Sequence, residues 1–210
     1  RTPFGAGIHA PEHHSESLEA MFAHVPGLRV VAPSSPARAY GLLLSAIQDP
    51  DPVIFLEPTR IYRLIKQEVM DDGQGLPLDT CFTLQQGTDI TLVSWGAMVH
   101  ETLQAAKALA REGISAEVID VATLAPLDMD TILTSVRKTG RCVIVHEAAR
   151  NGGIGAEIAA RLAEKGLLYL KAPIERVTGY DIPVPYLRNE GLYLPTVEDI
   201  TRASKRTIDF

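Results

Sequence analysis

The sequence has little of several features that would define a narrower class of protein. Its 210 residues include only two cysteines, Cys81 and Cys142, which lie far apart in apolar stretches and do not indicate a disulfide framework. No apolar run approaches the ~20 residues needed to span a bilayer. Basic side chains are also not in excess, since 20 Lys and Arg stand against 26 Asp and Glu, for a net charge of −6. This balance gives no support for nucleic-acid binding.

The start of the sequence lacks both an initiator methionine and a signal peptide. The chain opens at Arg1 with the turn-rich stretch RTPFGAGIHAPEHHSES. We therefore expect it to begin inside a longer protein. Two reduced thiols and the absence of a membrane-spanning pattern fit a cytoplasmic location, or the mitochondrial matrix if the source is eukaryotic.

An alternation of strand-like and helix-like segments is what the sequence does contain. The runs LRVVAP (28–33) and PVIFLEP (52–58) predict buried strands. Between them, SSPARAYGLLLSAIQ (34–48) predicts a helix with Ser35 as its N-cap and Pro36 in its first turn. The turn-rich stretch 66–79 marks a boundary. We predict a first unit over 1–68, a linker over 69–84 and a second unit over 85–210.

The second unit repeats the same alternation over a longer stretch. Strands are predicted at 89–96, 115–126, 141–148 and 174–179, and helices at 97–113, 128–140, 152–166 and 196–208. We expect Gly113 and Gly140 to end the first two of these helices. Asp128 is a predicted N-cap, and Thr196 with Asp199 forms an imperfect capping box because the fourth residue is Asp rather than Glu. The fold class is α/β, with parallel strands and helices on both faces of the sheet.

The stretch HEAARNGGIGAEI (146–158) partly matches two known site motifs, but each lacks a required residue. A dinucleotide fingerprint that begins with Gly153 and Gly155 would need a third glycine where Ile158 stands. Close helix packing or a tight loop explains the glycines better. The HExxH pattern of zinc proteases would need histidine where Arg150 stands. It would also need a helix, whereas His146 and Glu147 lie at the end of a predicted strand.

Four histidines, His9, His13, His14 and His24, fall within sixteen residues. Zinc sites of this density usually add cysteine or aspartate at fixed short spacings, which are missing here. Two alternatives stay open on the residues alone. Ser15 or Ser17 caps the helix LEAMFAHV and the histidines belong to the loop before it, or one loop histidine carries protons in catalysis.

A proline-punctuated turn follows the first predicted long helix and contains Asp49 and Asp51. Its ordinary interpretation is a solvated turn. Free carbonyls at a helix end together with an acidic side chain also suit a hard cation such as K⁺, which prefers oxygen ligands.

Read in order, the segments resemble the β subunit of the thiamin-diphosphate-dependent E1 component of 2-oxo acid dehydrogenase complexes. The resemblance covers nearly the whole chain but only the later part of the family's β subunit. It implies the end of a transketolase-like pyrimidine-binding domain, followed by a transketolase C-terminal-type three-layer α/β/α domain. The stretches that carry it are HSESLEAMFAHVPGLRVVAPSSPARAYGLLLSAI, EVIDVATLAPLDMDTILTSVRKTGR, GGIGAEIA and APIERVTGYDIPVPY.

Three groups of site residues follow from the resemblance. The family's catalytic histidine, in an H-S-Q-S motif, matches His14; the sequence departs at Glu16, whose carboxylate would favour a protonated imidazole. A structural K⁺ matches the turn at Ala46, Ile47, Asp49 and Asp51, as part of a site whose other ligands come from earlier in the family's sequence. Family members dock the E2 component through acidic groups and the chain terminus, so the resemblance implies E2 docking by Phe210 with its carboxylate.

The resemblance also implies the chemistry and the partners. Thiamin diphosphate would be shared with an α subunit that holds its Mg²⁺, in a heterotetramer of two α and two β subunits. The activating glutamate of the cofactor would lie upstream of this sequence. The reaction is decarboxylation of a 2-oxo acid and transfer of the acyl group to the lipoyl domain of E2, whose peripheral-subunit-binding domain docks the enzyme. We expect pyruvate as substrate, with branched-chain 2-oxo acids or acetoin as alternatives, and little activity from this chain alone. A non-catalytic assembly and E2-docking module is the alternative of another class.

Overall fold

A computed structural model describes residues 1–10 and 14–210 and contains two β-sheets flanked by helices. The strands are β1 (Thr2–Phe4), β2 (Arg29–Val31), β3 (Val53–Pro58), β4 (Phe82–Gln85), β5 (Ile90–Ser94), β6 (Ala116–Asp120), β7 (Thr123–Ala125), β8 (Cys142–Ala149) and β9 (Glu175–Gly179). The helices are α1 (Glu19–Ala23), α2 (Pro36–Gln48), α3 (Met98–Arg111), α4 (Met129–Thr139), α5 (Ile154–Gly166), α6 (Glu190–Tyr193) and α7 (Val197–Ile208). Within the described residues, no helix is long and apolar enough to cross a membrane.

The second sheet has five strands in the order β4-β6-β5-β8-β9, and all of its pairs except β4–β6 are parallel. One face packs on α4 and α5, and the other on α3 and α7. All five residues of the central strand β5 are buried, as expected for a strand that helices cover on both faces. This is the three-layer α/β/α domain that the sequence predicts.

The first sheet has four strands in the order β1-β3-β2-β7. β3 pairs in parallel with both β1 and β2, whereas β7 pairs antiparallel with β2. β1 and β4 are strands that the sequence pattern did not predict. β4 lies at the end of the stretch predicted as a linker and joins the second sheet, while the predicted unit boundaries themselves stay a prediction.

The segment 115–126, predicted as a single strand, is two strands in different sheets. β6 ends at Asp120 in the second sheet, and β7 begins at Thr123 in the first. Between them, Ala122 has a φ of 54°, which turns the backbone sharply. The single-strand prediction is wrong because the sequence gives no sign that Ala122, within an apolar run, has a left-handed conformation. Residues from the second unit therefore complete the sheet of the first.

Most of the predicted helix ends are confirmed. The side chains of Ser35 and Asp128 accept hydrogen bonds from the backbone N–H three residues on. Thr196 and Asp199 form a complete capping box, so aspartate serves where glutamate is commoner. Gly113 and Gly140 follow α3 and α4 with φ of 82° and 76°, as expected for glycines that end helices.

The start of α1 differs from its prediction. The N-cap is Leu18, and no side chain caps the helix. The hydroxyl of Ser15 instead donates to the carbonyl of Ala10 at 2.8 Å. Capping by Ser15 or Ser17 is therefore wrong, because Ser15 is fully buried in a loop contact and the helix begins only at Glu19.

One hydrophobic core is shared by the two sheets. It joins side chains of the first sheet to side chains of the second sheet and its helices α4 and α5. Its members include Phe4, Val30, Leu56, Val93, Trp95, Ile119, Ile132 and Ile158. Cys81 and Cys142 are buried free thiols, as predicted. Because the core crosses the predicted boundary, the two units pack as one structure.

Gly87, between β4 and β5, is expected to tolerate no side chain. A Cβ there would lie 2.2 Å from the backbone carbonyl carbon of Ala116 and from the backbone nitrogen of Glu117, and backbone cannot move aside cheaply. We expect Gly87→Ala to lower the free energy of unfolding by roughly 1–3 kcal/mol, measured by urea denaturation. Gly191→Ala is the matched control, since a Cβ at Gly191 meets nothing within 4 Å. Equal stability of the two variants would contradict this expectation.

Candidate functional site

Parallel strands of both sheets end at a common region beside the loop that leads to His14. β1 ends at Phe4 and β3 at Pro58, and a Cβ at Gly96, just after β5, would lie within 3.4 Å of both side chains. The end of β8 carries Glu147 into the same region, where it contacts Gly5 and Ala6. Carboxyl ends of parallel strands are the usual place for sites in α/β proteins.

The loop at residues 5–10 has an unusual backbone. Gly5, Gly7 and His9 have φ of 89°, 101° and 58°. Three positive φ values within five residues turn the backbone sharply, and the N–H groups of the adjacent residues Ala6 and Gly7 both donate to side chains. The acceptors are glutamate side chains of the protein itself.

Two buried glutamates receive these N–H groups. The backbone N–H of Ala6 donates to Glu147 Oε2 at 3.1 Å, and that of Gly7 donates to Glu190 Oε1. His9 Nδ1 lies 2.8 Å from Glu190 Oε2. Glu147 is 4% exposed and Glu190 is 1% exposed, so both carboxylates sit in the interior.

Burial raises the pKa of Glu147 to about 7. The nearby Arg60 opposes this increase, while Glu19 and Glu101 add to it. Arg60 is itself paired with Glu101 through both terminal nitrogens of its guanidinium. Glu147 therefore exchanges its proton near neutral pH, which is the property expected of a group close to a functional site.

A second buried group lies against the same region. Trp95 Nε1 donates to Glu19 Oε1 at 3.3 Å, and the Trp95 ring stacks on His146 with centroids 5.1 Å apart. Burial raises the pKa of Glu19 and lowers the pKa of His146 to about 4. Burial therefore favours the neutral form of both side chains. Neither ring nitrogen of His146 has a hydrogen-bond partner among the described residues.

His14, the predicted catalytic residue, is exposed and precedes the fully buried Ser15. The chain around it is fixed at two points: Ser15 Oγ donates to the Ala10 carbonyl, and the Gly5 N–H donates to the Glu16 carbonyl at 3.0 Å. His13 lies outside the described residues. Among those that are described, no group of three or more His, Cys, Asp or Glu side chains could hold a metal ion.

The turn predicted to bind K⁺ already contains a positive charge. Arg29 Nε lies 3.2 Å from Asp49 Oδ1 and 3.8 Å from Asp51 Oδ2, and Arg29 also pairs with Asp79. Asp49 Oδ1 accepts from the Asp51 N–H at 2.9 Å. Ala46 and Ile47 belong to the last turn of α2, so their contribution to a cation would be backbone carbonyl oxygen. The potassium site stays a prediction.

Phe210 lies two residues beyond the end of α7 and is 80% exposed. The residue is therefore open to a partner, and its predicted role in docking E2 stays a prediction. The glycines near Gly153 serve packing: a Cβ at Gly155 would lie 2.6 Å from His146 Nε2, and one at Gly153 would lie 3.0 Å from His146 Cε1.

The buried carboxylates of this region are not predicted from the sequence. The pattern around His146 and Glu147 suggested only a zinc-protease dipeptide, and nothing singled out Glu190. A signal was present for Glu147, since an acidic residue at the end of an apolar strand must find a partner in the interior. Glu190 had no such signal, because its helix is only four residues long.

Comparison with known proteins identifies the two parts of the chain. Residues 80–200 match the transketolase C-terminal domain, and residues 1–65 match the transketolase pyrimidine-binding domain. The chain belongs to the transketolase family. A solved structure described as a split-gene transketolase, an inactive β4 tetramer, superposes with a TM-score of 0.77 at 27% identity, over 93% of this chain and 62% of that one.

Curated relatives confirm the resemblance to the E1 β family. The chain is 47% identical over all 210 residues to the pyruvate dehydrogenase E1 component subunit beta of Staphylococcus epidermidis, and 44% identical to that of Bacillus subtilis. It is 50% identical over 200 residues, 95% of the chain, to that of Acholeplasma laidlawii, of which it covers 61%. The chain spans 65% of the length of the first two relatives.

Proposed function

We propose that this transketolase-family chain belongs to the β subunit of a pyruvate dehydrogenase E1 component, which decarboxylates pyruvate oxidatively and passes the acetyl group to lipoamide on E2. One observation carries the proposal: the whole chain aligns at 44–47% identity with relatives that bear this name. The loop before His14, fixed at the strand ends of both sheets, is compatible with a site in that position.

The proposal includes thiamin diphosphate, which supplies an electron sink for decarboxylation when it is bound. The described residues offer no cluster of carboxylates or histidines for its Mg²⁺. We assign the diphosphate and its Mg²⁺ to an α subunit, as the resemblance to the E1 family implies.

His14 is the residue of this chain to which we assign chemistry. Its exposure permits contact with a substrate held between subunits, and an imidazole can give or take a proton near neutral pH. We assign it proton transfer at the acyl group or at the lipoyl acceptor.

The partners in this proposal are an α subunit, a second β subunit, and the lipoyl and peripheral-subunit-binding domains of E2. Phe210, exposed beyond α7, is the proposed E2 contact, and a net charge of −6 favours a basic partner. The structural neighbour described as a tetramer supports assembly. A K⁺ at the Asp49 turn and a cytoplasmic location complete the proposal.

The decisive experiment is an assay of the full-length subunit assembled with its α subunit, thiamin diphosphate and Mg²⁺. We expect acetyl transfer from pyruvate to a lipoyl domain, and no turnover when the α subunit is omitted. A preference for 2-oxoisovalerate or acetoin would correct the substrate. No turnover with any of the three, despite stable assembly, would contradict the catalytic assignment and favour an assembly module.

A further inference from the structure

Two carboxylates of the second unit hold a loop of the first. Glu147 stands at the end of β8 and Glu190 begins α6, yet they bind the adjacent N–H groups of Ala6 and Gly7. These contacts span 141 and 183 residues of sequence. They join the end of the second sheet to the chain that leads to His14.

The loop is built to fit these carboxylates. A Cβ at Gly5 would lie 2.7 Å from Glu147 Oε1, and a Cβ at Gly7 would lie 2.1 Å from Cδ of Arg60. Both glycines also have positive φ. A side chain at position 5 would meet Glu147 and one at position 7 would meet Arg60, so the close approach of the loop to Glu147 depends on glycine at position 5.

The same loop is tied to the segment around His14. The Gly5 N–H donates to the Glu16 carbonyl, and Ser15 Oγ donates to the Ala10 carbonyl. These two bonds lie at the two ends of the loop, and their partners in the His14 segment are the two residues that follow His14. A shift of residues 5–10 would therefore shift His14.

We propose that Glu147 and Glu190 are positioning residues that fix the location of His14 through the loop 5–10. The expected effect on catalysis rests on the proposed function. The dependence of the His14 position on the loop 5–10 does not. A displacement of about 1 Å at a reacting group can lower the rate by up to ~10²-fold, so a loop held by buried carboxylates matters for catalysis.

The test compares Glu147→Ala with Glu147→Gln in the full-length assembled enzyme. Alanine removes the acceptor for the Ala6 N–H, whereas the glutamine amide oxygen keeps it. We expect Glu147→Ala to lower kcat roughly tenfold with little change in KM, and Glu147→Gln to restore most of the lost kcat. Hydrogen exchange at the Ala6 amide should accelerate in the alanine variant only.

Glu117→Ala is the matched control. Glu117 is another buried carboxylate, 3% exposed, that accepts a backbone N–H, from Gly87 at 3.2 Å, and pairs with Lys138. The Glu117→Ala variant should be less stable than wild type, but its kcat should fall much less than that of Glu147→Ala. An equal loss of kcat in both alanine variants, or unchanged Ala6 exchange in Glu147→Ala, would overturn the proposal.

A separate measurement distinguishes failure of the proposed function from failure of the positioning role. If the wild-type assembly shows no turnover, the NMR signals of the His14 ring still report the coupling. We expect them to shift in Glu147→Ala and to keep their wild-type positions in Glu147→Gln and Glu117→Ala. An unshifted His14 ring in Glu147→Ala would overturn the positioning role whatever the activity.

Discussion

Replacement of His14 by alanine is expected to lower the rate of acetyl transfer in the assembled enzyme by roughly 10²–10⁴-fold, the usual contribution of a positioned acid or base. His14 is exposed on a segment fixed by the Ser15 and Glu16 contacts, so alanine removes the imidazole without removing a buried side chain. The loss should therefore appear in kcat while the thermal midpoint stays close to wild type.

His100→Ala provides the comparison for this experiment. His100 lies on α3, and its Nε2 contacts Gln104 at 2.6 Å, far along the chain from the loop. We expect near-normal acetyl transfer in that variant. Near-normal kinetics in His14→Ala as well would remove the catalytic assignment, and a broad loss in both would point to a general effect of histidine removal.

The second large effect is expected in stability rather than in rate. Burial raises the pKa of Glu147 from 4.5 to about 7, so the folded protein binds a proton there more tightly than the unfolded chain. The stability that this proton contributes is complete below pH 4.5 and is lost as the pH rises through 7. Because glutamine does not titrate, the free energy of unfolding of Glu147→Gln should rise by about 2.5 kcal/mol relative to that of wild type between pH 5 and 8.

Urea denaturation of both proteins across that range provides the measurement. His146 changes the free energy of unfolding in the opposite direction. Its pKa is lowered to about 4, so the stability that the neutral imidazole contributes is lost as the pH falls from 6.5 toward 4. His146 is present in both proteins, and the difference between their curves isolates Glu147. Parallel curves would show that Glu147 titrates at its ordinary pKa.

Local signals in the sequence predicted much of the fold. Ser35, Asp128 and Thr196 cap helices where expected because capping depends on a few neighbouring residues. β7 could not be predicted in the same way. Its partner β2 lies about ninety positions earlier, and three residues carry no periodicity of their own. The left-handed Ala122 that separates β6 from β7 has no sequence signature.

In the candidate site, too, residues with a local sequence signal could be predicted and residues joined only by the fold could not. His14 is identified by a short motif, which needs only its neighbours in sequence. The contacts of Glu147 and Glu190 join residues 141 and 183 positions apart, and only the fold brings them together. The capping role expected of Ser15 was wrong for a local reason: its hydroxyl donates to the Ala10 carbonyl five residues earlier, and α1 begins only at Glu19.

The placement of β7 has a consequence for recombination between relatives. A chimera joined near residue 80 would bring together β2 from one parent and β7 from another, although these strands pair edge to edge. Val30 and Val31 would then meet unfamiliar partners, and a poor match would leave a bare apolar edge open to other chains. The unit that can be exchanged intact is therefore the C-terminal domain without β7, with the segment around Thr123–Ala125 kept from the parent that supplies β2.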